Sequence, residues 1–346
     1  MTEFQLIARY FTRPNRSALL GNGDDCAIVA PSAGNAFAVT TDTLIVGRHF
    51  LPTLDPFKLG RRVVNVNFSD LAAMGAAPRY AMLSLTLPQI DEDWISRFSD
   101  GLWSVLDAYG VELIGGNTTK GPLAIAMTAL GELPPKAALT RSGARAGDEL
   151  WVSGPLGDAG WALTSLLRDR SGDGGFAIEA TAAQVDKYES PTARVALGLA
   201  LRGIATSCID ISDGLLSEAK HLATASAVSI EINIEAIPSG IAKIDRSDRW
   251  SAAQRINAAT SEAERDALIV AQLAQACLLS TGDAYELLFT APRDQHDAVA
   301  AILKREQLPG ACIGRVTVLE GANVVSVLDA QSRVMDIEVK GWDHFA

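Results

Sequence analysis

The sequence predicts an α+β protein of two domains. Three observations predict it. The chain has 346 residues, more than one hydrophobic core usually serves. Its first half alternates strand-like and helix-like periods. A glycine-bearing stretch, Arg141 to Asp148, then separates that half from a second alternation of strands and helices.

Residues 2–11 read as a short amphipathic helix. Leu20 to Ala27 reads as a tight turn leading into a short strand, and Ala36 to Ile45 as strand-like and ending in the polar cluster Thr40-Thr41-Asp42-Thr43. Asp55 to Met74 has a helical pattern that Gly75 and Pro78 stop. Tyr80 to Leu87 alternates, with Ala81, Leu83, Leu85 and Leu87 on one face. Asp91 is placed to cap a helix whose Trp94, Phe98, Leu102, Leu106 and Tyr109 form one stripe, closed by Gly110. Val111 to Ile114 and Leu123 to Leu133 are further strands, with Gly115-Gly116 readable as a plain turn.

In the second half, Glu149 to Ser153 is a strand followed by a glycine-rich loop and a helix. Ile204 to Ile211 is a strand that leads through Ser212-Asp213-Gly214 into a helix ending near Ala225. Val228 to Ile234 alternates again, residues 239–276 resemble a polar helical insertion on the surface, and Tyr285 to Phe289, Cys312 to Leu319, Asn323 to Leu328 and Val334 to Val339 are late strands.

Net charge is −11, which argues against a nucleic-acid partner, since phosphate backbones are bound by basic patches. Cys26, Cys208, Cys277 and Cys312 are too scattered for a zinc or C-x-x-C pattern and are expected as thiols in a reducing cytoplasm. The start MTEFQLIARYF lacks the basic, then apolar, pattern of a signal peptide, and no apolar run has the length of a membrane span. There is no P-loop, no dinucleotide fingerprint, no H-E-x-x-H and no protein-kinase signature set.

What remains is a series of aspartates at the ends of regular elements: Asp24 and Asp25, Asp42, Asp70, Asp210 and Asp213. Several carboxylates brought to one place repel one another unless cations neutralise them, and hard divalent cations take oxygen ligands. Several candidates have a plainer explanation: turn chemistry for Asp24-Asp25, a loop position for Asp42, an N-cap for Asp213, a solvated loop histidine for His49. Asp70, on an otherwise apolar helix segment, is less easily dismissed.

Taken in order, these segments resemble the thiamine-monophosphate kinase family, within the superfamily of aminoimidazole ribonucleotide synthetase. The likeness spans Gly21-Asn22-Gly23-Asp24-Asp25, Thr40-Thr41-Asp42-Thr43, His49-Phe50-Leu51, Asn67-Phe68-Ser69-Asp70-Leu71, Gly115-Gly116-Asn117-Thr118-Thr119, Thr140-Arg141-Ser142-Gly143, Asp210-Ile211-Ser212-Asp213-Gly214 and Gly341-Trp342-Asp343. The resemblance implies in-line transfer of the ATP γ-phosphoryl group to thiamine monophosphate, with several Mg²⁺ ions. It implies metal ligands at Asp25, Thr40, Thr41, Asp42, Asp70, Asn117, Asp210 and Asp213, nucleotide contacts at Gly116, Asn117, Arg141 and Ser212, and substrate contacts at His49, Asp283 and Trp342. Asp42, Asp70 and Asp210 are the implied catalytic acids. It further implies an ATP- and metal-binding, dimerising sheet-and-helix domain over 1–140, a larger α/β domain over 148–346, substrates bound between them, and a homodimer.

Three departures stand out: Asn22, Asn117 where many members have Asp, and Ala284 in Gly282-Asp283-Ala284-Tyr285-Glu286 where a second acid is usual. The sister selenophosphate synthetases are expected to carry a reactive Cys and Lys near the N-terminus, and none precedes Cys26. The hydrogenase-maturation relatives are expected to end in Cys, whereas this chain ends His344-Phe345-Ala346. An aminoimidazole ribonucleotide synthetase and a catalytically silent nucleotide-binding protein stay open at this point.

Overall fold

A computed structural model describes residues 1–171, 178–241, 261–319, 321 and 324–337. The chain divides into two compact units, Met1–Ala138 with Glu189–Leu199, and Leu139–Tyr188 with the described residues from Ala200 onward. The return of Glu189–Leu199 to the first unit has no counterpart in the sequence pattern.

The first unit opens with a short helix α1 (Glu3–Leu6), followed by one turn of π-helix, Ile7–Phe11. It contains β1 (Ala36–Ile45), α2 (Pro56–Ala73), β2 (Ala77–Leu87), α3 (Glu92–Tyr109), β3 (Glu112–Lys120) and β4 (Ala124–Leu133). The sheet order is β1-β4-β2-β3, so β1 and β3 are its two edges. β4 is antiparallel to both its neighbours, and β2 and β3 run parallel. Asp55 and Asp91 cap α2 and α3 through backbone N–H groups of the first turn. Burial matters more than the caps: Phe68 and Phe98 are fully buried, and burying each contributes about 1.5–3 kcal/mol against about 1 for a cap.

The two helices approach across glycine. A Cβ at Gly101 would lie 1.9 Å from the Phe57 carbonyl oxygen, and one at Gly60 would lie 2.1 Å from that of Phe98. β3 does not turn at Gly115-Gly116 but runs on to Lys120, paired with β2 as far as Leu87. Gly116 has φ +152°, and a Cβ there would meet the Leu83 carbonyl at 1.9 Å, so the pairing itself selects glycine. The segment Leu20–Ala27 forms no strand, only isolated bridges, from Leu20 to Ile28 and between Asn22 and Asp24.

The second unit contains β5 (Glu149–Val152), α4 (Asp158–Ser171), α5 (Ala182–Glu189, whose last residue joins the first unit), β6 (Ser207–Asp210), α7 (Leu215–Ser226), β7 (Val228–Asn233), α8 (Glu262–Leu279), β8 (Leu287–Ala291), α9 (His296–Arg305), β9 (Ala311–Val318) and β10 (Val325–Leu328). α6 (Val195–Ala200) lies in the returning segment. The six-stranded sheet has the order β10-β7-β9-β5-β8-β6 and is mixed, with β10 and β7 parallel. Its apolar core joins Leu150, Val152, Ile209, Leu216, Leu222 and Ile230. α5, α6 and α9 were not evident as helices from periodicity. β6 begins at Ser207 rather than 204, and Val334 makes a single bridge to Leu328 instead of starting a strand. The polar 239–276 region is not simply a surface insertion. Residues 242–260 lie outside the described residues, but α8 buries Ala271, Ala274, Cys277, Leu278 and Leu279.

The glycine contact between α2 and α3 carries a test. Gly101→Ala is expected to lower stability by about 1–3 kcal/mol, because backbone, not a flexible side chain, occupies the space. Urea denaturation followed by circular dichroism measures it, and an unchanged midpoint would show that the helices part at no cost.

Candidate active site

β1 alternates, so Thr40 and Asp42 project toward α2 while Thr41 projects to the opposite face. The Thr40 hydroxyl donates to Asp70 Oδ2 at 2.5 Å. The Asp42 N–H donates to Asn67 Oδ1 at 3.1 Å, and Asn67 is fixed in turn by donating to the Val63 carbonyl. Asn67 and Asp70 are one helical turn apart, so one face of α2 gathers Thr40, Asp42 and Asp70. Asp70 lies in the last turn of α2, which holds no basic residue. A carboxylate there adds to the negative end of the helix dipole.

Thr41 is not part of that group. Its hydroxyl donates to the Met127 carbonyl and accepts from Thr128 on the open face of the sheet. Gly116 and Asn117 lie on β3, the far edge, three strand spacings or roughly 14 Å from β1. The first unit by itself therefore does not bring Asn117 to Asp42. Asp25 is exposed on a loop whose Asn22 side chain donates to the Leu113 carbonyl, at the β3 side. His49 is half-buried rather than a solvated loop residue, and its Nδ1 accepts the Ile45 N–H at 3.0 Å.

In the second unit, Asp210 ends β6 and is 6% exposed. Beyond it, Ile211 and Ser212 run beside residues 283–286. The Ile211 N–H donates to the Glu286 carbonyl, while the Tyr285 and Asp283 N–H groups donate to Ile211 and Ser212 carbonyls, at 2.8–2.9 Å. This brings Asp210, Ser212, Asp213 and Asp283 into one neighbourhood. Asp283 and Tyr285 take φ of +64° and +48°, a left-handed backbone that costs non-glycine residues energy and is often found at functional sites. Between them Ala284 is buried in the apolar core, so the place of the usual second acid faces inward here.

Asp213 does not cap α7. The N-cap is Gly214, with no side-chain cap bond, and the Asp213 N–H donates to Glu218 Oε1 at 2.9 Å. Arg141 is exposed on a loop held by Cys208 N–H to the Thr140 carbonyl and by Ser226 to the Arg141 carbonyl. Trp342 lies outside the described residues.

Sequence reasoning missed Asn67, Glu218 and Glu286. Glu286 is wholly buried, accepts from Ser153 Oγ at 2.5 Å and pairs with Lys187 Nζ at 3.3 Å. Glu218 offered a signal: an acid on the face of α7 that carries Leu215, Ala219 and Leu222. Burial pushes its carboxyl up to about 8, the adverse charges of Asp213 and Asp210 adding to the effect. Burial raises the thiols of Cys208, Cys277 (to about 11) and Cys312, so these are not thiolate nucleophiles.

All of these donors are hard oxygens, which suits Mg²⁺. Among the described residues no three His, Cys, Asp or Glu side chains converge as a complete metal set. Each unit instead offers a pair of acids, Asp42 with Asp70 and Asp210 with Asp213, and Mg²⁺ shared with phosphates uses one or two carboxylates.

The model "AIR synthase related protein, N-terminal domain" matches residues 23–133, and "AIR synthase related protein, C-terminal domain" matches 145–326. Fold and site thus define a two-domain AIR synthase related protein. A thiamine-monophosphate kinase of Salmonella typhimurium is 38% identical over 355 residues, covering 99% of this chain and 98% of the relative. The crystal structure of the thiamine-monophosphate kinase of Stenotrophomonas maltophilia is 36% identical, with TM-score 0.75 over 94% of each chain. A solved AaThiL complexed with AMPPCP and TMP is 31% identical, with TM-score 0.68 over 93% of this chain and 91% of that one. Within its class, the chain belongs to the thiamine-monophosphate kinase family.

The buried acid sets a pH dependence. Between about 4.5, its ordinary value, and about 8, folded Glu218 holds a proton that the unfolded chain has released. The folded state then binds more protons, so stability falls as pH rises through that window. Melting curves without divalent cations are expected to show a smaller loss from pH 5 to 8 in Glu218→Gln than in the parent. Parallel curves would mean Glu218 does not titrate there.

Proposed function

We propose that this chain transfers the γ-phosphoryl group of ATP to the phosphate of thiamine monophosphate, giving thiamine diphosphate in one in-line displacement. The observation that carries it is the 38% identity to a thiamine-monophosphate kinase over nearly the full length of both chains. The site chemistry supports it. Both substrates are anions, and their approach needs positive charge that a chain of net charge −11 does not supply in bulk. Mg²⁺, when bound, neutralises phosphate charge in the ground and transition states. Asp42 and Asp70 in the first unit, with Thr40 beside Asp70, and Asp210 and Asp213 in the second would each offer it a pair of acids, with Asp25, Thr41 and Asn117 as further oxygen donors. Gly116 and Ser212 approach the nucleotide by backbone and hydroxyl, and the planar fork of Arg141 suits its phosphates. His49, Asp283 and Trp342 serve the acceptor.

A single displacement fits the nucleophiles at hand, since three of the four thiols are disfavoured as thiolates by burial. The four cysteines are unpaired, which supports a cytoplasmic location. Among the described residues no helix is long and apolar enough to cross a membrane. A homodimer through the open face of the four-stranded sheet is supported by Val39, Ile45 and Met82, exposed there by 63%, 43% and 37%.

Turnover is expected to need Mg²⁺ in excess of ATP, and thiamine diphosphate to form only when ATP, Mg²⁺ and thiamine monophosphate are all present. Asp42→Asn and Asp70→Asn should abolish it while the protein still melts cooperatively. An Asn at 70 still accepts from Thr40, and losing the charge at the helix end should gain about 0.3–1 kcal/mol. Near-normal turnover in either variant would remove that acid from the metal site.

Asp283→Ala is expected to raise the KM for thiamine monophosphate by about one to two orders of magnitude, the worth of one charged hydrogen bond, and to leave the KM for ATP nearly unchanged. Steady-state kinetics with each substrate varied decides this. Equal changes in both would make Asp283 a turn residue only.

A further inference from the structure

Glu218 is a 2%-exposed carboxyl group in the first turns of α7, five residues after Asp213. Its Oε1 accepts the Asp213 N–H at 2.9 Å, and its Oε2 is buried without a hydrogen-bond partner. The charged groups acting on it are Asp213 and Asp210, both of its own sign. For stability alone this is a poor residue. A buried carboxyl oxygen without a partner costs more than the single bond of its other oxygen returns, and ionising the group beside two acids would cost more still. An apolar side chain would instead join Leu215, Ala219 and Leu222, all buried on the same helix face.

What Glu218 does that leucine cannot is hold one peptide group. The Ser212 carbonyl accepts the Asp283 N–H at 2.9 Å. The Asp213 N–H, on the other side of that same peptide plane, goes to Glu218. The plane is therefore pinned at both ends, and it sets where the Ser212 hydroxyl and the Asp213 carboxylate leave the backbone. The next residue, Gly214, has φ +115° and makes no cap bond. The Gly214 carbonyl accepts the Ser217 and Glu218 N–H groups of α7, so without the Glu218 side chain the turn keeps that anchor, but the Ser212–Asp213 peptide itself would be held from the Asp283 side alone.

We infer that Glu218 is a positioning residue, which acts through the Asp213 N–H to fix the Ser212–Gly214 turn in the setting that presents Asp213 to the metal-bound nucleotide. This rests on the proposed role of Asp213. The test compares Glu218→Leu, Glu218→Gln and Asp213→Asn by melting curves and by kinetics with Mg²⁺, ATP and thiamine monophosphate each varied. Glu218→Leu is expected to melt at or above the parent temperature yet lose about tenfold or more in kcat, with a higher Mg²⁺ requirement. Glu218→Gln, whose amide oxygen has the same reach, should restore turnover to within about fivefold of the parent. A Glu218→Leu protein with parental kcat and Mg²⁺ dependence overturns the inference. So does one that melts well below the parent or fails to fold, since Glu218 would then be a stability element. A Glu218→Gln protein as impaired as Glu218→Leu overturns it too, because the carboxylate itself would be required. If Asp213→Asn is impaired while Glu218→Leu is not, positioning fails and the role of Asp213 stands. If Asp213→Asn turns over normally, the role of Asp213 fails and takes the inference with it.

Discussion

Ile211 and Ser212 exchange backbone hydrogen bonds with residues 283–286, and the chemistry-bearing part of the second unit hangs on that exchange. It extends the pairing of β6 with β8 past the point where regular strand geometry ends. Non-glycine residues at φ +64° and +48° cost about 1–3 kcal/mol each. The cost is offset by the backbone bonds and by the buried Glu286 carboxylate, which takes hydrogen bonds or charge from Ser153 and Lys187. A segment fixed at such expense has few alternative settings. That is what a group facing a substrate requires, since a displacement of an ångström in a reacting geometry is costly.

The first unit reaches the same end without strain. Thr40 and Asp42 sit in ordinary strand, and alternation alone sends them to the helix side while Thr41 faces away. α2 answers with Asn67 and Asp70 at helical spacing, and Asn67 is held by its own helix at Val63. The close glycine contact between α2 and α3 fixes that helix from behind. Regular geometry suffices here because both partners are long elements with fixed periods.

This difference explains what could be read in the sequence. β1, α2, β2, α3 and β4 have strong periods, and the place of Asp70 in the last turn of α2 follows from them, whereas Thr40 and Asp42 lie within β1 and not at its end. The match in order of many short segments then pointed to the family, which the near full-length relatives show. Gly115-Gly116 misleads because local propensity favours a turn, whereas pairing with β2 needs a residue without a side chain beside Leu83. Glu218 and Glu286 stay hidden for another reason. Ser153 and Glu286 are 133 positions apart, and no local pattern announces that one will bond the other. α8 reads as polar because its buried face is built from alanines and a cysteine as well as leucines.

Both units carry acids whose charge is adverse for folding. The chain carries −11 net, places Asp70 at the negative end of a helix, and sets Asp210 and Asp213 close enough to Glu218 to disfavour its charged form. Each choice is adverse for folding, by about 0.3–1 kcal/mol at the helix end alone. Two phosphate-bearing substrates would make the same regions more negative still. On the proposed reading, divalent cations arriving with the nucleotide would make the arrangement favourable, because each ion would be attracted by protein and phosphate at once. Oxygen donors in pairs, with no complete set among the described residues, would on that reading leave the remaining coordination positions to phosphate and water.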